Sequence, residues 1–423
     1  MYRENTVAVV IPAYDEAGFV GEVIDTIPEF VDRIYPVDDC STDGTWDEIR
    51  ACARRVNERA ESSGAFADGS GALLSPDDAE PSEADDSADS GEPESAAGDS
   101  SPGARVVPLR HDENRGVGAA IKTGYRRARA DGIDAVAVMA GDGQMDPDQL
   151  SRLLDPVVSG RADYAKGDRL ATDEYTAEMS NWRLFGNALL TLLTRTASGY
   201  WRMSDPQNGY TVVSGEALDR LDLDSMFDDY GFANAMLVHL NVADMRVADV
   251  PMPAQYGDED SGIRYSTFVP QLSGLLAKGF AWRLAEEHLG RERRGFPALY
   301  LVGAVGTVAG VYATVRDGFS SVGEDDADSE SDPLQGNTAH REGINYNAEE
   351  TQNKGQATMN TARTERPRGR GPLTTLVGLT ATTLAAVFDA AENEPLHVSV
   401  ESDEGLGGEA PDGSDSDEEV GDR

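Results

Sequence analysis

Short apolar runs at residues 7–11, 33–37, 105–109 and 135–139 alternate with stretches of helical spacing around residues 19–27, after Gly44 and over residues 116–130. That βαβα order constrains the chain more than any other feature. It predicts an α/β architecture: a mostly parallel sheet with helices on both faces, which takes ligands at the carboxyl ends of its strands.

Two kinds of segment interrupt the pattern. Residues 61–103 are almost entirely Ser, Gly, Asp, Glu, Ala and Pro, with too little apolar surface to offset chain entropy, so they read as an acidic disordered insertion. Removing it in thought joins the helix after Gly44 to the next strand. The α/β domain then extends over residues 1–290. Residues 297–315 carry no charge and, at ~1.5 Å per residue, match a bilayer's hydrocarbon core, so they read as a transmembrane helix. Gly306 and Gly310 within them permit close helix contact. The Thr-rich residues 372–388 read as a second span, residues 316–371 as a polar disordered loop and residues 389–423 as an acidic tail.

Charge narrows the partners. The chain has 36 Lys and Arg against 77 Asp and Glu, a formal net charge of -41, which argues against nucleic-acid binding. Lys is scarce beside Arg, a balance similar to that of proteins from organisms that keep molar salt inside the cell, where the self-repulsion is screened. Cys40 and Cys52 form no metal-ligand spacing or disulfide framework, and the polar start of the chain has no basic, long-apolar leader. A reducing cytoplasm is the expected setting of the first domain. Basic clusters precede both apolar segments, Arg291, Arg293 and Arg294 before the first and Arg363, Arg366, Arg368 and Arg370 before the second. A simple hairpin cannot hold both clusters on the inner side.

The motifs that carry chemistry follow the strands: Pro12-Ala13-Tyr14-Asp15-Glu16, Asp38-Asp39-Cys40-Ser41-Thr42-Asp43-Gly44-Thr45, Asn114-Arg115-Gly116-Val117-Gly118 and Ala140-Gly141-Asp142-Gly143-Gln144-Met145-Asp146. Each alone is ordinary turn and cap chemistry. In this order and spacing they resemble family 2 glycosyltransferases, and Asp142 with Gln144 is similar to the Asp-x-Asp-x-Gln motif of the dolichyl-phosphate mannose and glucose synthase group. The likeness extends over roughly residues 6–289 outside the insertion and implies a GT-A, Rossmann-like fold with C-terminal transmembrane helices.

The resemblance further implies that Pro12, Tyr14, Glu16, Asp39, Lys122, Asp142, Gln144 and Arg264 bind a nucleotide-sugar donor. It places Asp142, with Gln144 beside it, on a divalent cation, Mg²⁺ or Mn²⁺, that neutralises the diphosphate leaving group. Ala140 stands where the family has its first acid, and Cys40 where it usually has Gly. Lys166-Gly167-Asp168-Arg169 puts Arg169 near a phosphate, with Arg183 as a second acceptor-phosphate residue. Asp205, in Asp205-Pro206-Gln207-Asn208-Gly209-Tyr210, is the candidate general base if the acceptor is a hydroxyl.

The expected activity is inverting, metal-assisted transfer to a polyprenyl phosphate such as dolichyl phosphate, at a cell membrane with the catalytic domain on the cytoplasmic side. Transfer to a saccharide or glycolipid hydroxyl is the alternative within the class, and a non-catalytic nucleotide-sugar binding protein the alternative outside it. Two helical stripes complete the reading. Met179, Trp182, Phe185, Leu189 and Leu193 suit core packing, and Phe268, Leu272, Leu275, Phe280 and Trp282, interleaved with Lys278 and Arg283, also suit a membrane interface.

Overall fold

Seven consecutive buried residues make the first strand, and alternate side chains of that strand feed two separate cores. In a computed structural model, which describes residues 1–63, 103–171, 181–253, 265–289, 296–325 and 370–400, Val7, Val9, Ile11 and Ala13 join one core and Ala8 and Val10 the other. A strand buried on both faces is what a continuous apolar run specifies, each large side chain contributing ~1.5–3 kcal/mol by leaving water.

Eight strands form the sheet: β1 (Val7–Ala13), β2 (Arg33–Asp38), β3 (Leu109–Arg110), β4 (Ala135–Val138), β5 (Tyr164–Asp168), β6 (Thr211–Ser214), β7 (Val247–Pro251) and β8 (His397–Ser399). Their order is β3-β2-β1-β4-β6-β5-β7-β8. Among the described residues, only β6 runs antiparallel to its neighbours, β4 and β5. One face carries α1 (Val20–Thr26), α2 (Thr45–Ser63) and α4 (Leu150–Val158), the other α3 (Val117–Ala130), α6 (Gly215–Arg220) and α7 (Phe232–Val242). The α/β class with helices on both faces stands as read from the sequence.

Helices α5 (Asn181–Ser198) and α8 (Tyr265–Leu289) pack with α7 through Ala197, Val238, Leu272 and Leu276. Two sequence expectations change here. Leu189 and Leu193 of α5 are exposed instead of packed in a core, while Met179 and the side chains of Trp182 and Phe185 lie outside the described residues. Arg283 of α8 is fully buried instead of interfacial: its guanidinium donates to the carbonyls of Thr196 and Ala197 at 3.0 Å each and pairs with Glu287 at 3.0 Å. It thereby satisfies the last carbonyls of α5, where a cation also meets the negative end of the helix dipole.

The sheet edges also differ from expectation. The run at 105–109 pairs with β2 over only two strand residues and one bridge, Ile34 to Val106. Asn57 of α2 takes both outward backbone groups of Val106, at 2.9 Å each, and so closes the edge against a further strand. At the opposite edge, residues 397–399 of the expected acidic tail add to β7 as β8.

The chain divides into two units, one of residues 1–293 and 390–423 and one of residues 294–389. The second contains α9 (Phe296–Asp325) and most of α10 (Arg370–Asn393). Helix α9 continues ten residues into the stretch read as a loop. Gly303 lies against Thr382, Gly306 against Gly378, Gly310 against Thr375 and Gly371 against Thr314, an antiparallel hairpin with a small-residue seam. At Gly306 an added Cβ would meet the Gly378 Cα at 3.0 Å, so the two backbones approach too closely for side chains there. Thr314, Thr375, Thr380, Thr382 and Thr383 donate to carbonyls four residues back in their own helices, which removes their polarity from the outside. Outward-facing Leu301, Val305, Val308, Leu376, Val377 and Val387 remain exposed. The stretches Phe296–Arg316 and Gly371–Leu396 are long and apolar enough to cross a membrane.

Candidate active site

Strand direction brings the sequence motifs to one edge of the sheet. Parallel strands β1, β2, β4 and β5 end in residues 12–16, 38–45, 140–146 and 168–169. Because β6 runs backwards, with Thr211 opposite both Val138 and Lys166, it is entered from residues 205–210 at that same edge. The crevice beyond the carboxyl ends of such strands is where α/β folds place ligands.

The first two turns are laced together. The Asp15 backbone N–H donates to Ser41 Oγ at 3.0 Å, Glu16 N–H to Thr45 Oγ1 at 2.8 Å, and Thr42 N–H returns a bond to Asp15 Oδ1 at 2.7 Å. Asp15 and Cys40 both sit at positive φ, 56° and 61°. A left-handed position favours glycine, which gives Cys40 a structural reason for standing at a Gly site; its thiol donates to the Asp112 carbonyl at 3.4 Å. Pro12 lies within β1, where its carbonyl accepts from Gly141 N–H at 3.2 Å. Tyr14 is 44% exposed at the rim and Glu16 is half-buried.

Asp39, expected to meet the base, is buried and already engaged. Its carboxylate accepts from the backbone N–H groups of Arg115 at 2.9 Å and Gly116 at 2.7 Å, and lies 2.6 Å from His111 Nδ1. His111 Nε2 in turn lies 2.8 Å from Thr123 Oγ1 of α3. Asp39 therefore anchors the glycine-rich entry to α3. His111 was not singled out in the sequence, where no spacing marks it.

The glycines of that entry serve the protein's own backbone. An added Cβ at Gly116 would lie 2.6 Å from the Asp228 carbonyl oxygen, and one at Gly118 would lie 2.6 Å from that of Phe227. Lys122, also read as a donor ligand, is buried with its ammonium 2.5 Å from Asp228 Oδ1 and 3.0 Å from the Met226 carbonyl. In the structure the close approach and the cation meet residues 226–228, a segment with no periodicity that could have announced it.

Asp142 stands in the turn after β4, partly exposed, with Gly143 at φ 73° behind it. Its Oδ1 accepts from Gln144 N–H at 3.0 Å, and its Oδ2 makes no hydrogen bond among the described residues. Among the described residues no three His, Cys, Asp or Glu side chains gather as a metal cage. A single accessible carboxylate at a strand end suits Mg²⁺ or Mn²⁺ that takes its other ligands from phosphate and water.

Across the edge, Arg169 and Asp205 form a forked pair, Nε to Oδ2 at 2.7 Å and Nη2 to Oδ1 at 3.0 Å, with Arg169 N–H also donating to Oδ2 at 3.1 Å. Burial works to raise the Asp205 carboxyl, but the hydrogen bonds and charge of Arg169, with Lys166 behind, outweigh it and hold the group below the ordinary carboxylate value. Asp205 itself lies at positive φ, 39°. Buried Lys166 supports this turn, donating to the carbonyls of Ser204 and Asp205 and pairing with Asp249 at 2.7 Å. Its place in the Lys166–Arg169 motif was legible, its role was not. Arg169 had been read as a phosphate ligand; at least part of its fork is committed to Asp205.

Two further expectations are placed less fully. Arg183 falls on α5, with its side chain outside the described residues, and Arg264 lies outside them altogether.

The glycosyl transferase family 2 model matches residues 8–64 and 84–222. UDP-N-acetylglucosamine–dolichyl-phosphate N-acetylglucosaminyltransferase of Methanococcus voltae is 26% identical over 152 residues, 36% of this chain and 60% of that protein. Polyprenol monophosphomannose synthase of Mycolicibacterium smegmatis is 27% identical over 188 residues, 43% of this chain and 65% of that one. The chain thus spans under two thirds of the length of these relatives. Glucosyl-3-phosphoglycerate synthase of Mycobacterium tuberculosis, solved with Mn²⁺, uridine diphosphate and glucosyl-3-phosphoglycerate, is similar at 18% identity and a TM-score of 0.41 over 66% of this chain and 80% of that one.

Proposed function

The chain carries a glycosyl transferase family 2 domain, and on that premise we propose that it transfers a sugar, with inversion, from a nucleotide-activated donor to the phosphate of a polyprenyl lipid. The observation that carries the choice of acceptor is the Arg169–Asp205 pair. A hydroxyl acceptor needs a base to take its proton, and Asp205, buried and held ionised by a guanidinium, is a weak one. A phosphate acceptor is already ionised and needs only positioning and charge neutralisation. In a single displacement its oxygen bonds to the anomeric carbon as the bond from that carbon to the donor diphosphate breaks, and no proton is removed.

In this reading Pro12, Tyr14 and Glu16 border the donor, and Asp39 shapes its cleft from behind. Asp142, beside Gln144, would hold Mg²⁺ or Mn²⁺, whose charge stabilises the departing diphosphate. Arg169 orients the acceptor phosphate from its half-exposed side. The exposed leucines of α5 and the two long apolar helices support a membrane setting, and the reading puts the catalytic domain on the cytoplasmic side. The Methanococcus and Mycolicibacterium relatives, a dolichyl-phosphate N-acetylglucosaminyltransferase and a polyprenol monophosphomannose synthase, support the same acceptor class.

The test is transfer of radiolabelled sugar from a panel of nucleotide sugars by purified protein in lipid. Label is expected in an organic-soluble, mild-acid-labile product. Label only in water-soluble saccharide would support the hydroxyl alternative, and donor binding without transfer would support the non-catalytic one.

A further inference from the structure

A cavity of about 350 Å³ lies between α7 and α8, lined on its apolar side by Phe227, Val238, Leu276 and Trp282. At ~30 Å³ per small group, that space holds on the order of a dozen non-hydrogen atoms. Its polar lining is partly engaged within the protein and partly exposed, the latter at Asp222, Ser225 and Lys278. Buried Asn234 accepts from Gln207 Nε2 at 3.0 Å and donates to Thr194 Oγ1 at 2.9 Å, so its amide is turned to protein partners. His239 stacks on Trp282 with ring centroids 4.6 Å apart, and burial keeps its imidazole below the ordinary histidine value, hence neutral. Exposed Lys278 adds a cation to the lining and exposed Asp222 an anion.

The two bonds of Asn234 tie one wall of this cavity to the segment that carries Asp205 and to α5. One leads to Gln207, two residues from Asp205 and its partner Arg169. The other leads to Thr194 of α5, next to exposed Leu193, two residues from exposed Leu192 and five from exposed Leu189. An apolar chamber whose wall joins the candidate acceptor pair to an apolar exposed helix suits an apolar chain that arrives from a lipid surface with an anionic end. Neither the donor nor a saccharide has such a part.

We propose that the cavity takes the first apolar stretch of the acceptor, about two five-carbon isoprene units next to the phosphate, and thereby selects polyprenyl over straight-chain phosphates. This rests on the acceptor reading given above. Branched units fill a chamber of this width with more contact per unit length than a linear chain, so the walls would discriminate by shape.

The test uses the full chain in detergent, with geranyl phosphate as probe and inorganic phosphate and decyl phosphate as controls. Geranyl phosphate should change the fluorescence of the wild type saturably, and Trp282→Phe should remove most of that change. Ala235→Leu, which adds volume at the cavity wall, should weaken geranyl phosphate binding at least about ten-fold and raise the acceptor KM with kcat and nucleotide-sugar binding little altered. If Ala235→Leu fails to fold, the Trp282→Phe comparison decides by itself. A protein that glycosylates polyprenyl phosphates, yet shows the same fluorescence response in Trp282→Phe, or binds decyl and geranyl phosphate alike, overturns the cavity proposal and leaves the acceptor reading intact. A protein that neither binds geranyl phosphate nor glycosylates any polyprenyl phosphate overturns both.

Discussion

Arg169 and Asp205 face each other as a forked ion pair at 2.7 and 3.0 Å, with the aspartate buried and the arginine 39% exposed. Each holds the other's geometry at the edge where β5 ends and β6 begins, and the pair sets the pH behaviour expected of the site.

The Asp205 carboxyl lies below its ordinary value in the folded protein, so its contribution to stability is present above the unfolded-state value and is lost as pH falls through the folded one. Stability measured by urea unfolding should therefore be flat in this contribution through neutral pH and decline only in acid. Arg169→Met should cost roughly 1–3 kcal/mol, less than a fully buried pair because the arginine is partly solvated, and should move the acid decline to higher pH. An unchanged acid limb would mean the pair does not hold Asp205 ionised.

Lys122 separates a structural from a donor-binding role. With its ammonium on Asp228 and the Met226 carbonyl, Lys122→Met should lower stability by about 1–3 kcal/mol, because a buried carbonyl loses its donor. Donor KM in the folded variant should change less than about three-fold, since less than ~0.7 kcal/mol of binding is at stake. A large KM increase without loss of stability would return Lys122 to the donor site.

Asp142 is expected to be indispensable. Asp142→Asn keeps shape and the bond from Gln144 N–H, so folding should survive, while turnover should fall on the order of a hundred-fold or more. EDTA should reproduce the loss in the wild type, and Mg²⁺ or Mn²⁺ should restore the wild type alone. Near-normal turnover in the variant would place the cation elsewhere.

The charge conflict in the sequence can be tested through the two apolar helices. The chain leaves the first unit before residue 294 and returns to it at residue 390, where Asn393 bonds Asn241 and residues 397–399 join the sheet. If both apolar helices span a membrane, residues 325 and 370 are expected on its outer side, against the preference of the second arginine cluster. In a background with Cys40 and Cys52 replaced, Asp325→Cys should react with a membrane-impermeant maleimide from outside intact cells, and Glu394→Cys only after lysis. Equal protection of both would overturn this arrangement, and recovery of the protein in the soluble fraction after a carbonate wash would overturn the membrane reading itself.

The apolar runs and their spacing were enough to determine the α/β class, the positions of β1, β2 and β4, the four turn motifs and the two long apolar helices, because burial and turn chemistry are local and periodic. Asp142 at the end of β4 and Arg169 at the end of β5 follow from strand direction alone. What tertiary structure decided is which partner each polar group meets. Asp39 and Lys122 carry the right chemistry for a nucleotide, yet His111, Asp228 and the backbone of residues 115–116 and 226 reach them first. Those partners lie 72 to 106 residues away from them in the chain or sit in loops without periodicity. The same holds for the reversed β6, which brings Asp205 to Arg169, and for β8, which turns an acidic tail into a sheet edge. A hydrogen-bonding group takes the nearest partner in space, and sequence spacing reports that neighbour only within a helix, a strand or a turn.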